Sequence, residues 1–124
     1  MTLRIVELCP ACQMTVLYVI DKLVLNELVR FSKRSEQEVE AELGEQGRRY
    51  LELARKSAER HSVTVQSQTR RGDPFEEVIA AANDVDADLI VMGHTGRRGT
   101  SRVLIGSVTQ RVLDYAPCPV LVTK

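Results

Sequence analysis

Gly93-His-Thr-Gly96, nine residues, then Gly106-Ser107 is the part of this 124-residue chain whose residue types and spacing best suit chemistry. Glycines let a backbone come close to an anion. A helix starting at such a loop adds unpaired N–H groups and the positive end of its dipole. The apolar run Asp88-Leu-Ile-Val-Met92 comes before, and an amphipathic segment, Val108 to Tyr115, comes after. Strand, glycine loop and helix in that order form a frame for a phosphate. The two common phosphate signatures are absent: there is no G-x-x-x-x-G-K-[ST], and no G-x-G-x-x-G opening a helix near the N-terminus. Taken alone, the glycines read better as simple turns.

Other candidate groups carry less. Cys9-Pro-Ala-Cys12 has redox spacing, but it precedes a strand, whereas a thioredoxin-type pair follows a strand and opens a helix. We read it as a helix end. A zinc site would need two further ligands, and Cys118, His61 and His94 are scattered. Cys118, between two prolines, reads as a small buried residue. His94, inside the glycine loop, either approaches a phosphate or occupies a tolerant loop position. No Ser/His/Asp or Cys/His order suited to nucleophilic catalysis is legible. The acidic run within 36–45 reads as the solvated face of a helix.

The elements that must position the loop follow from periodicity. Met14-Thr-Val-Leu-Tyr-Val-Ile20 is almost unbroken and β-branched or aromatic, the pattern of a strand buried on both faces. Residues 21–34 show no clean period and read as a loop with room for a short helix. Ser35-Glu-Gln-Glu38 is a capping box. The helix after it should reach about Arg60, with Val39, Leu43, Tyr50, Leu51, Ala54 and Ala58 near one face and Gly44 and Gly47 weakening its middle. Ser62 to Thr69 reads as an edge strand. Gly72-Asp-Pro74 is a turn that sets Pro at the first position of a helix, Phe75 to Asp84, with Val78, Ile79 and Ala82 inward. Leu89 to Met92 is a second buried strand. A helix is expected over 101–115, ended by Pro117-Cys-Pro119, with Val120-Leu-Val-Thr123 as the last strand. Alternating strands and helices imply right-handed crossovers and a parallel α/β sheet with helices on both faces. Ligands in such folds bind beyond the carboxyl ends of the strands, where the glycine loop sits.

Composition narrows the classes. The chain suits a single domain, 1–124, long enough to bury a core. Seventeen basic and seventeen acidic residues cancel, so nothing favours nucleic acid. Aromatic residues are few, which leaves no base-stacking platform. No apolar run approaches the roughly 20 residues of a membrane span, and nothing at the start reads as a signal peptide. Three cysteines, an odd number, argue against a secreted disulfide framework. The expected location is cytoplasmic.

The combined spacing, Met92 and Gly93, then Gly96, nine residues, Gly106-Ser107 and Val108-Thr109, resembles the ATP-binding signature of the universal stress protein family. Val16-Leu-Tyr-Val-Ile-Asp21, Arg71-Gly-Asp-Pro74, Ala87-Asp-Leu-Ile-Val-Met-Gly93 and Ala116-Pro-Cys-Pro-Val-Leu-Val122 resemble that family's second to fifth strands or strand exits. The resemblance covers about residues 3–124. It implies a Rossmann-like open parallel sheet of the adenine nucleotide alpha hydrolase type, in strand order 3-2-1-4-5. It implies that Val19 lines an adenine pocket and that Met92 and Gly93 border base and ribose. Gly96, Gly106, Ser107, Val108 and Thr109 would surround the phosphates, with Arg97 and Arg98 in reach of a terminal phosphate. It further implies ATP held with Mg or Mn, and a homodimer through the C-terminal strand, about Val120–Lys124.

One family feature has no counterpart. The family's first strand ends in a loop whose Asp recognises adenine, and Leu3-Arg-Ile-Val-Glu-Leu8 aligns instead with the helix after that loop. The chain is therefore expected to be N-terminally incomplete relative to the family. Alternatively, residues 3–8 become a strand with Ile5 and Leu8 inward, or another chain donates the strand. The leading functional expectation is a nucleotide-dependent stress-response or regulatory dimer, and not a dedicated enzyme, since no general base or Walker-type lysine is visible. Its competitors are a dimeric interaction module of the same fold without nucleotide, and a slow ATPase or adenylyl or phosphoryl transferase.

Overall fold

The computed structural model describes residues 11–93 and 105–123. Among them, four strands and four helices run in the order β1 Met14–Asp21, α1 Lys22–Ser32, α2 Glu36–Arg60, β2 Val65–Gly72, α3 Pro74–Asp84, β3 Ile90–Gly93, α4 Ser107–Tyr115, β4 Val120–Thr123. Strands and helices alternate as expected for an α/β chain, with α1 as an additional element. The chain divides into two compact units, Met1–Asp73 and Pro74–Lys124.

In the first unit β1 and β2 pair in parallel, Met14 opposite Val65 through Asp21 opposite Gly72. Side chains alternate across a strand. Tyr18 and Ile20 turn to the helices and form a buried cluster with Leu25, Val39, Leu43 and Leu51, and Val16 packs against it. Val19 takes the other parity. The N-cap half of the capping box forms: the Ser35 hydroxyl accepts from the Glu38 N–H at 3.1 Å. Gly47 is buried directly against the Tyr18 ring, so this glycine makes a close helix–strand approach.

Residues 21–34 hold a full eleven-residue helix, α1, and not a loop with a short helical piece. Asp21 caps it, its carboxylate accepting from the Leu23 N–H at 2.9 Å. Leu25, Leu28 and Val29 follow helical spacing into the core. The exposed Leu23 and Phe31 blurred that period in the sequence.

The strand expected at 62–69 lies instead at Val65–Gly72. The exit of α2 occupies the intervening residues. His61, Ser62 and Val63 donate their N–H groups back to Ala58 or Glu59, and Ser62 adopts a left-handed φ of 56°. Arg71 is tolerated in β2 because its guanidinium reaches Glu36 and, at 2.6 Å, Glu40 on α2.

In the second unit β3 and β4 pair in parallel, Ile90 opposite Val120 through Gly93 opposite Thr123. Ala82, Ile90 and Val112 are buried together, with Val78, Ile79, Met92, Val108 and Val120 packed against them. Pro74 opens α3 as expected, after Gly72 at a φ of 152°. Helix α4 starts at Ser107, later than the expected 101–115 allowed. Gly106 is extended, with φ −61° and ψ 153°, and serves as the N-cap.

Candidate functional site

The site candidate is the carboxyl end of the β3–β4 sheet. Apolar residues carry β3 through the second unit's core and end it at Gly93, which is exposed. The chain re-enters the described structure at Ile105, and α4 begins two residues later. Gly106 has no side chain to cap the helix. The N–H groups of the first turn therefore lack the acceptor that Ser, Thr, Asp or Asn would supply there. The first intrahelical bond runs from the Gln110 N–H to the Gly106 carbonyl at 2.9 Å. An anion at such an end gains roughly 0.3–1 kcal/mol from the dipole when exposed.

Met92, Gly93, Gly106, Ser107, Val108 and Thr109 are brought together here. Their side chains are not equivalent. Met92 and Val108 pack into the core beneath, so each presents its backbone to the loop end. Ser107 is exposed. Thr109 is buried, 3% exposed, and its hydroxyl donates to the Gly93 carbonyl at 2.8 Å. A second threonine, Thr123 on β4, donates to the Met92 carbonyl at 3.5 Å. Sequence reasoning did not single out Thr123, because a threonine ending a strand carries no local signal. His94, Gly96, Arg97 and Arg98 lie outside the described residues. Val19 lies on β1 of the first unit, opposite Arg70 in the strand register.

Cys118 stands at the other end of the sheet. It precedes β4, where the Ile90 N–H meets the Pro119 carbonyl at 3.0 Å. Burial pushes its thiol pKa up, the Asp88 carboxylate adds to the effect, and a backbone hydrogen bond with Ile90 partly opposes them. Its thiol is free, whereas Cys12 is disulfide-bonded. A raised pKa is the opposite of an activated thiolate. Among the described residues, no group of three or more His, Cys, Asp or Glu could hold a metal ion.

The sequence profile of the universal stress protein family matches residues 3–124. The chain belongs to the universal stress protein family. This universal stress protein is 44% identical over 82 residues to universal stress protein MJ0531 of Methanocaldococcus jannaschii, a match covering 66% of this chain and 48% of that one. It is 34% identical over 89 residues to universal stress protein MJ0577 of the same organism, covering 72% and 55%. The matched segment thus spans about half the length of these curated relatives. The solved structure of hypothetical protein MJ0577 superposes with a TM-score of 0.81 at 30% identity, covering 98% of this chain and 84% of that one. Universal stress protein UspA from Lactobacillus plantarum superposes at 0.79 with 24% identity, covering 99% and 84%. The shared fold is α/β, with parallel strands and flanking helices. No helix among the described residues of this universal stress protein is long and apolar enough to cross a membrane.

Proposed function

We propose that this universal stress protein binds ATP at the end of the β3–β4 sheet and acts as a nucleotide-dependent stress-response or regulatory protein, not as a dedicated enzyme. One observation carries the reading. In sequence, the glycine spacing Gly93, Gly96 and Gly106-Ser107 runs from the exposed end of β3 to an α4 N-terminus without a side-chain cap. Backbone N–H groups of Gly106, Ser107, Val108 and Thr109 would meet phosphate oxygens, and the exposed Ser107 hydroxyl would add a donor. Gly96 and Arg97 would complete the phosphate set, while Met92 and Gly93 would border base and ribose. Mg or Mn would ride on the phosphate oxygens and water, as Mg commonly does. The same reading makes the protein a cytoplasmic homodimer through the C-terminal strand β4, Val120–Thr123.

The test is mass spectrometry of nucleotide released from purified, denatured protein, together with calorimetric titration of ATP and Mg. A co-purified adenine nucleotide, or saturable ATP binding below about 1 mM, supports the reading. Neither signal, with ATP near millimolar concentration, refutes it in favour of an interaction module without nucleotide. Phosphate release well above background would instead make the protein an ATPase.

A further inference from the structure

We propose that the side chain of Thr109 positions this site and that its hydroxyl is not a phosphate ligand. The inference rests on the ATP reading for its functional half and on geometry for its structural half. A hydroxyl has one proton to donate. The Thr109 hydroxyl spends it on the Gly93 carbonyl, at 2.8 Å, and the side chain is buried. It therefore has no proton left for an anionic oxygen. What it does have is position. Gly93 is the last residue of β3, and Thr109 is the third residue of α4. One hydrogen bond between residues sixteen apart in sequence ties the end of the strand to the first turn of the helix. It thereby sets the distance between the Gly93 backbone and the α4 N–H groups that would hold phosphate. The second threonine bond, Thr123 to the Met92 carbonyl at 3.5 Å, is longer and holds the same strand end from the β4 side. Thr109 also faces the core, because Val112, one helical turn later, is fully buried on the same face.

Valine is close to threonine in shape but lacks the hydroxyl. Thr109→Val would leave the Gly93 carbonyl without its donor and free the helix start to drift. Thr109→Ser keeps the donor and loses only a methyl group. Ile79→Ala, in α3, loosens the same core without touching the bond.

The experiment measures thermal midpoint without nucleotide and calorimetric affinity for ATP with Mg, on wild type and all three variants. Thr109→Val should melt lower without nucleotide and bind ATP about three- to tenfold more weakly, the size of one neutral hydrogen bond. Thr109→Ser should restore most of both. Ile79→Ala should melt lower yet bind ATP like wild type. If Thr109→Val proves insoluble, Thr109→Ala takes its place. The proposal is overturned if Thr109→Val melts like wild type but loses ATP affinity, which marks a direct phosphate ligand. It is also overturned if affinity falls equally in Ile79→Ala, which marks mere destabilisation. A wild type that binds no ATP, with Thr109→Val still less stable than Thr109→Ser, sinks the nucleotide reading and leaves the strand–helix tie standing.

Discussion

Two glycines three residues apart in α2 should respond with opposite signs when replaced by alanine. In an exposed helix interior, Gly to Ala is worth about 1 kcal/mol in favour of the helix. At Gly44 that gain should survive. An added Cβ would lie 3.9 Å from Ile20 Cδ1, an ordinary contact. Gly44→Ala should therefore stabilise by about 0.5–1 kcal/mol. At Gly47 the same atom would lie 2.4 Å from Tyr18 Cδ1 and 2.6 Å from Cε1. The ring cannot simply retreat, since Tyr18 is buried and stacks on Tyr50 with centroids 6.0 Å apart. Overpacking costs about 1–3 kcal/mol, and disturbing the aromatic pair about 0.5–1.5 more. After subtracting the helix gain of about 1 kcal/mol, Gly47→Ala should destabilise by about 0.5–3.5 kcal/mol. Urea unfolding followed by circular dichroism reads both. Adding Tyr18→Leu should relieve the clash, giving a coupling of at least about 1 kcal/mol in a double-mutant cycle. A Gly47→Ala protein as stable as wild type would refute the packing argument.

Cys118 should be alkylated slowly at pH 8, with peptide-resolved labelling rising only above the usual thiol range of about 8.5, because burial first and Asp88 second hold its proton. The sign for stability follows. The folded thiol keeps its proton where the unfolded one loses it, so this contribution is fully present below the unfolded pKa and is lost as pH rises from there through the higher folded pKa. Cys118→Ser should flatten that decline, and an equal decline in both proteins would count against the burial argument. Arg71→Ala should lower the urea midpoint slightly at low salt and not at all near 1 M salt, where screening reaches about 3 Å; a salt-independent loss would mean that Arg71 contributes through packing. Sedimentation velocity over a range of protein concentrations should show a dimer, and a monomer throughout would remove the C-terminal strand as a homodimer interface.

Much was legible in the sequence because it was local. The Ser35 N-cap, Pro74 at the start of α3, the apolar run of β1 and the break at Pro117 each act within a few residues. They appear in the structure where the residue types put them. The glycine spacing and the family resemblance likewise needed only sequential order. The tertiary structure decided what depends on contacts between distant residues. Helix α1 became visible only when Leu25, Leu28 and Val29 met a core, which separated them from the exposed Leu23 and Phe31. β2 slid to Val65–Gly72 because α2 needed three more residues to close its end, and because Glu36 and Glu40 could hold Arg71. Gly47, which read as a flaw in a helix, is the space that admits Tyr18. The Thr109 hydroxyl donates to the Gly93 carbonyl, a partner sixteen residues away that no local pattern announces. Residue spacing determines which backbone groups can face an anion, whereas the destination of a side-chain proton depends on which distant carbonyl the fold brings within 3 Å.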